Sequence, residues 1–184
     1  MTRVFIGGSR RISRLSDPLR SRIDRIVEKE LSVLIGDANG ADKAVQHHLR
    51  ERAYKLVEVF CSDATPRNNI GGWPVRVVTP THARRDFDYY ATKDRAMAAE
   101  ATVGLMVWDG ESRGTLLNVL RLIGQDKPVV VYVGPKSVFL DVRNEHDFDA
   151  LVAGLERTAA RKLHEAAAAE GVGSGKSVAA QLRL

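Results

Sequence analysis

Val103-Gly104-Leu105-Met106-Val107-Trp108 is an apolar run that breaks into Asp109-Gly110-Glu111-Ser112-Arg113-Gly114-Thr115, after which Leu116-Leu117 resumes an apolar pattern at helical spacing. The succession reads as a strand, a tight polar loop and the start of a helix. A loop of this kind at the C-terminal end of a parallel strand presents free backbone N–H groups and the positive end of a helix dipole. Both suit a phosphate or a carboxylate.

Working outward, six short apolar runs alternate with helical patterns, which predicts an α/β protein: a doubly wound, mostly parallel sheet of Rossmann-like form with helices on both faces. Arg3 to Ile6 reads as the first strand and Gly7 to Leu15 as a loop. Ser16 is placed to N-cap a helix whose first turn holds Asp17 and Pro18 and whose buried stripe is Leu19, Ile23, Ile26 and Val27. Val33-Leu34-Ile35 is the next strand, and the loop from Gly36 to Asp42 turns into a helix with Ala41, Val45 and Leu49 inward. Leu56 to Phe60 and Val75 to Thr79 read as strands, separated by a long loop from Ser62 to Pro74 that carries two prolines and Gly71-Gly72. A helix from about Asp86 to Ala101 precedes the opening strand. Pro128 to Val133 reads as a very apolar central strand and Ser137 to Val142 as an edge strand. Asn144 with Asp147 resembles a capping box for a last helix.

The chain has 184 residues, which fits one domain over residues 1–167, with 168–184 expected to be a mobile tail. A single cysteine, Cys61, leaves no intramolecular disulfide and no multi-cysteine zinc site, so a reducing cytoplasm is the default compartment. No stretch approaches the length of a spanning helix, and no membrane partner is expected. His47 and His48 are consecutive on a helix and point about 100° apart, so they do not form a metal site together. No cofactor is called for. The net charge of +5 and a pI near 9.6 suit an anionic partner without naming one. Most of the arginines in the first 25 residues fit a solvated helix face, but Arg10 and Arg11 adjoin a Gly-Gly-Ser loop.

Gly171 to Ser177 imitates a phosphate-binding P-loop but misses its spacing, because the first glycine would have to stand at position 170, which is Glu170. It also follows an alanine run instead of a strand. The sharper signal is three glycine-bearing loops after three strands: Gly7-Gly8-Ser9-Arg10, Gly36 to Asp42, and Asp109 to Thr115. In a doubly wound sheet all three emerge on one edge and can converge on one ligand. Glycine allows close backbone approach, Ser9, Ser112 and Thr115 offer hydroxyls, and Asp42 or Asp109 can accept from ribose. Arg95 can clamp a phosphate. Tyr89, Tyr90 and Trp108 read partly as core, with Trp108 also able to stack on a base.

These loops, taken with Lys93-Asp94-Arg95-Ala96-Met97 and Trp108-Asp109-Gly110-x-Ser112-x-Gly114-Thr115, resemble the SMF/DprA-LOG (SLOG) superfamily over roughly residues 3 to 134. Within it the likeness is to the YspA/YpsA-related Rossmann-like proteins. The resemblance implies a nucleotide-derived ligand and a homo-oligomer. The ligand-binding set it implies is Gly7, Gly8, Ser9, Arg10, Gly36, Asp37, Gly40, Ala41, Asp42, Arg95, Trp108, Asp109, Gly110, Ser112, Gly114, Thr115 and Asn118. Its enzymatic relatives cleave N-glycosidic bonds with a glutamate three residues after the Gly-Thr threonine, and here that position is Asn118. An amide is neither a carboxylate nucleophile nor a general base. Ligand binding or sensing is therefore the leading expectation. The alternatives are an N-glycosidic hydrolase or transferase using Asp94, or with Glu111 or Glu100 as the compensating glutamate, and a single-stranded nucleic-acid binder, which the sparse aromatic residues do not favour.

Overall fold

Alternation along each strand sends successive side chains to opposite faces of a sheet, and here it builds two cores. In a computed structural model that describes residues 1–172, β1 (Arg3–Gly8) places Val4 and Ile6 in one core and Phe5 in the other. The first core is covered by α1 (Asp17–Glu28) and α2 (Ala41–Glu51) through Leu19, Ile23, Val45 and Leu49. The second is covered by α3 (Phe87–Glu100), α4 (Arg113–Ile123), α5 (Glu145–Val152) and α6 (Arg157–Ala169) through residues such as Met97, Leu117, Phe148 and Leu163.

The remaining strands are β2 (Ser32–Gly36), β3 (Val57–Cys61), β4 (Val75–Val77), β5 (Val103–Trp108), β6 (Val129–Val133) and β7 (Val138–Val142). They form one sheet in the order β4-β3-β2-β1-β5-β6-β7, parallel throughout except for antiparallel β7. This is a Rossmann-like doubly wound fold. The order reverses between β1 and β5, so the loops after these two strands flank the crevice where such sheets receive ligands, and the loop after β2 lies beside them.

Several local expectations change. β6 is covered on both faces, which explains its apolarity, but it lies second from the sheet edge and not at its centre; β1 is central. Asn144 does cap a helix, accepting from the Asp147 amide at 3.0 Å, yet that helix is α5 and α6 follows it. Residues 168 and 169, assigned to the tail by composition, lie in α6, and Glu170 is buried against α4. The P-loop imitation from Gly171 falls outside the described residues beyond Val172. Ser16 stands at the N-cap of α1 without capping it: its hydroxyl meets the Tyr132 hydroxyl at 2.6 Å, and Pro18 in the first turn has no N–H to satisfy. Among the described residues no helix is long and apolar enough to cross a membrane.

Candidate functional site

Ser9 ties the three loops together. Its carbonyl accepts from the Ala41 amide at 3.0 Å, its amide donates to the Val107 carbonyl at 2.9 Å, and its hydroxyl donates to Asp109 Oδ2 at 2.6 Å. The same hydroxyl accepts from the Arg11 amide, so it is committed to the protein and the side chain is fully buried. Asp109 is committed too, because its other oxygen accepts from the Ser112 amide at 2.7 Å and the Glu111 amide at 3.0 Å. Burial works against ionisation of Asp109, but the Ser9 hydroxyl and these amides hold its carboxyl below the usual range. These bonds fix the shape of the third loop, and Asp109 stays in the cleft lining.

The glycines divide by role. A Cβ on Gly8 would lie 2.5 Å from the Val107 carbonyl, so Gly8 lets β1 and β5 approach at the crevice. Gly40 has φ +84° and faces the Arg10 backbone, which locks the second loop onto the first. A Cβ on Gly36 would overlap Asp42 Oδ2 and lie 2.7 Å from Lys93 Nζ. This glycine makes room for a buried charge cluster. Gly110, at φ +88°, turns the third loop.

Between the loops and α3 opens a cleft of about 590 Å³, within the range of small-ligand sites. Of the residues singled out in the sequence, Gly7, Gly8, Ser9, Arg10, Asp42, Asp94, Asp109, Glu111, Ser112, Gly114, Thr115 and Asn118 line it. The other expected residues stand behind it. Gly36, Gly40 and Ala41 support the second loop, and Asp37 is buried and held by a two-pronged ion pair with Arg67 at 2.7 and 2.9 Å. Trp108 is a core residue, 4% exposed, whose indole Nε1 has no hydrogen-bond partner among the described residues. Arg95 pairs with Asp88 and lies 3.4 Å from Glu170, outside the lining.

The cleft floor carries the chemistry. Lys93, with a side chain 5% exposed, donates to Asp94 Oδ1 at 2.7 Å. Burial pushes the Lys93 ammonium down, but Asp94, Asp42 and Asp37 more than compensate and hold it charged. Asp94 keeps 23% exposure, facing the cleft. Burial opposes its ionisation, yet Lys93, Arg121 and a hydrogen bond from Asn118 Nδ2 at 3.3 Å keep it below the usual carboxylate range. Asp42 lacks such a direct partner, and burial raises its carboxyl to about 6 against the pull of Lys93.

Asn118 is fixed at both ends, donating to Asp94 and accepting from Arg121, which in turn grips Glu170 at 2.5 and 2.7 Å. A neutral amide fits this position because its two ends differ: one gives a proton to a carboxylate and the other receives one from a guanidinium. Glu111 sits at the rim, its side chain 70% exposed and paired with Arg11.

At the other wall stands the first turn of α4. Its N-cap, Ser112, makes no side-chain cap among the described residues, and Ser112, Gly114 and Thr115 of this turn line the cleft. Thr115 Oγ1 donates to Ser112 Oγ at 3.0 Å, which leaves the Ser112 proton for a ligand.

Sequence reading passed over two features of the wall. Tyr90 lines the cleft, and its ring carries the Arg67 guanidinium at 4.8 Å and that of Arg10 at 5.7 Å. Arg67 comes from the long loop, which is pinned to the second loop by Asn68 donating to the Asp37 carbonyl at 2.8 Å. No local pattern announced that pairing; the loop's length was the only signal. Among the described residues no group of three His, Cys, Asp or Glu side chains is placed to hold a metal ion.

Comparison with protein-family models, with curated proteins and with solved structures returned no match.

Proposed function

We propose that the protein binds a nucleotide or nucleotide-derived ligand in this cleft, as a binding or sensing domain. The observation that carries the reading is the pairing of two opposed walls: an ionised, half-buried Asp94 on the floor and the uncapped first turn of α4, with Ser112, across from it. The turn receives a phosphate. Asp94 accepts from ribose hydroxyls, since its two known donors leave lone pairs free. Tyr90, with the guanidinium groups of Arg67 and Arg10 over its ring, adds a cationic wall that favours a phosphorylated ligand.

Titration calorimetry with AMP, ADP-ribose and NADH tests this. At least one of them should bind in the micromolar range, and Asp94→Asn should weaken that ligand about tenfold, as expected for loss of a charge-assisted hydrogen bond. Absence of binding by all three at millimolar concentration overturns the reading.

The same ionised Asp94 supports a second reading, cleavage of the N-glycosidic bond, in which a carboxylate at the floor does what the amide of Asn118 cannot. Release of free base from these nucleotides, abolished by Asp94→Asn, is its signature. Intact ligand recovered after prolonged incubation with the protein rejects it.

A further inference from the structure

The first turn of α4 does not close the cleft; it stands between two hollows. Helical geometry puts Ser112, Thr115 and Asn118 on one face and Arg113 and Leu116 on the next, about 100° round. The first set faces the cleft already described, and the second faces a pocket of about 300 Å³. Gly114 borders both. Phe87 borders both as well, and a Cβ on Gly114 would come into van der Waals contact with its ring at 3.7 Å, so the glycine widens the passage where the two hollows meet.

This second pocket has a distinct chemistry. Its walls are apolar, from Leu116 on α4 and from Leu155 and Leu163 beside and on α6. Its charges are cationic, Arg113 and Lys162, and the one carboxylate on its border, Glu111, is already paired with Arg11. Arg113 stacks over the Phe87 ring at 5.2 Å, and that ring is 43% exposed at the passage. An apolar slot with cations at its mouth, continuous with an anion-binding helix end, fits a flat uncharged ring tethered to an anion.

We propose that the second pocket receives a flat base lying beyond the phosphates of the cleft's ligand, so that the ligand is a nucleotide whose phosphates are internal and bridge to a second, uncharged base. This inference rests on the nucleotide reading above and narrows it. A phosphate bound at the α4 terminus then has substituents on both sides, one running to Asp94 and Tyr90, the other past Gly114 and Phe87. The cations disfavour a positively charged ring in the second pocket.

Calorimetry with the full chain tests this using ADP-ribose, whose internal phosphates lead only to a terminal ribose, and NADH, which adds a flat, uncharged base to that ribose. NADH should bind at least tenfold more tightly than ADP-ribose. Ala159→Trp fills the second pocket from an exposed position on α6. It should remove that advantage while leaving ADP-ribose affinity within twofold.

Equal affinity for the two ligands, or an NADH advantage that survives Ala159→Trp, overturns the inference while the nucleotide reading stands. Binding of neither ligand overturns both. Sedimentation velocity on the same variant covers the other occupant: a changed oligomeric state with unchanged ligand preference would make the pocket an interface between copies and reject the proposal.

Discussion

Lys93 serves two carboxylates at the cleft floor, and Asp42 receives the weaker share because the hydrogen bond goes to Asp94. The consequence is a specific pH dependence. In the unfolded chain Asp42 ionises near pH 4, whereas in the folded protein it holds its proton to about 6. Its contribution to stability is therefore complete below pH 4 and is lost as the pH rises through 6, at about 1.4 kcal/mol per pH unit within that window. Asp37, Asp94 and Asp109, held low, act in the opposite sense: their contributions are present above the usual carboxylate range and lost on acidification below it. Asp42→Asn keeps an acceptor for the Ala38 amide and removes the titration. Urea unfolding at pH 4.5 and 6.5 should show the variant gaining about 2 kcal/mol relative to the parent across that interval; a constant difference would contradict the assignment. In the sequence Gly36 and Asp42 read as members of one glycine-bearing loop, and nothing there indicates that Gly36 is small because Asp42 and a lysine from α3 arrive against it. Lys93 is almost sixty residues away, and only the fold brings the two together.

α4 is the element on which the site depends, and it is anchored from behind. Its inward stripe was plain from Leu116-Leu117 and the spacing that follows, and the loop before it was legible because glycine, aspartate and serine have strong local preferences at helix starts. What was not legible is the role of the chain's last described turn. Composition marked the residues after 167 as tail, yet Glu170 reaches across to Arg121, with side-chain exposures of 8% and 3%, and Arg121 holds the Asn118 oxygen. An alanine-rich run carries little hydrophobic pattern, so periodicity missed an anchor made by one charged pair. Glu170→Ala should leave Arg121 buried without its carboxylate and cost about 3 kcal/mol. The loss would appear in the urea midpoint, together with faster hydrogen exchange in the last turns of α6. Glu170→Gln, which keeps an acceptor for the guanidinium, should recover part of it. An unchanged midpoint for Glu170→Ala would mean that α6 is held by Leu163 and Ala167 alone.

The whole molecule keeps its cleft and a surface charge cluster at opposite edges of the sheet. At the C-terminal edge Asp94 and the first turn of α4 line the cleft. At the N-terminal edge, about 17 Å away along β1, four charges close on one another: Arg3 of β1 and Arg76 of β4 each contact both Glu58 of β3 and Glu100 of α3. This ring ties the outermost parallel strand to the central one and to the helix below, and it compensates for a β4 of only three exposed residues. Because each arginine has two acceptors, removing one glutamate leaves both arginines served. Glu58→Gln or Glu100→Gln should then cost no more than about 1 kcal/mol each. The double variant, which strips both arginines, should cost about 1 kcal/mol beyond the sum of the single changes. The excess should shrink in 1 M NaCl, since all four side chains keep some contact with water. Nucleotide affinity, measured on the folded double variant, should stay within twofold of the parent, because no member of the ring lines the cleft. Additive losses would show two independent pairs instead of a ring, and a fall in affinity without unfolding would show that the two edges are coupled through β1.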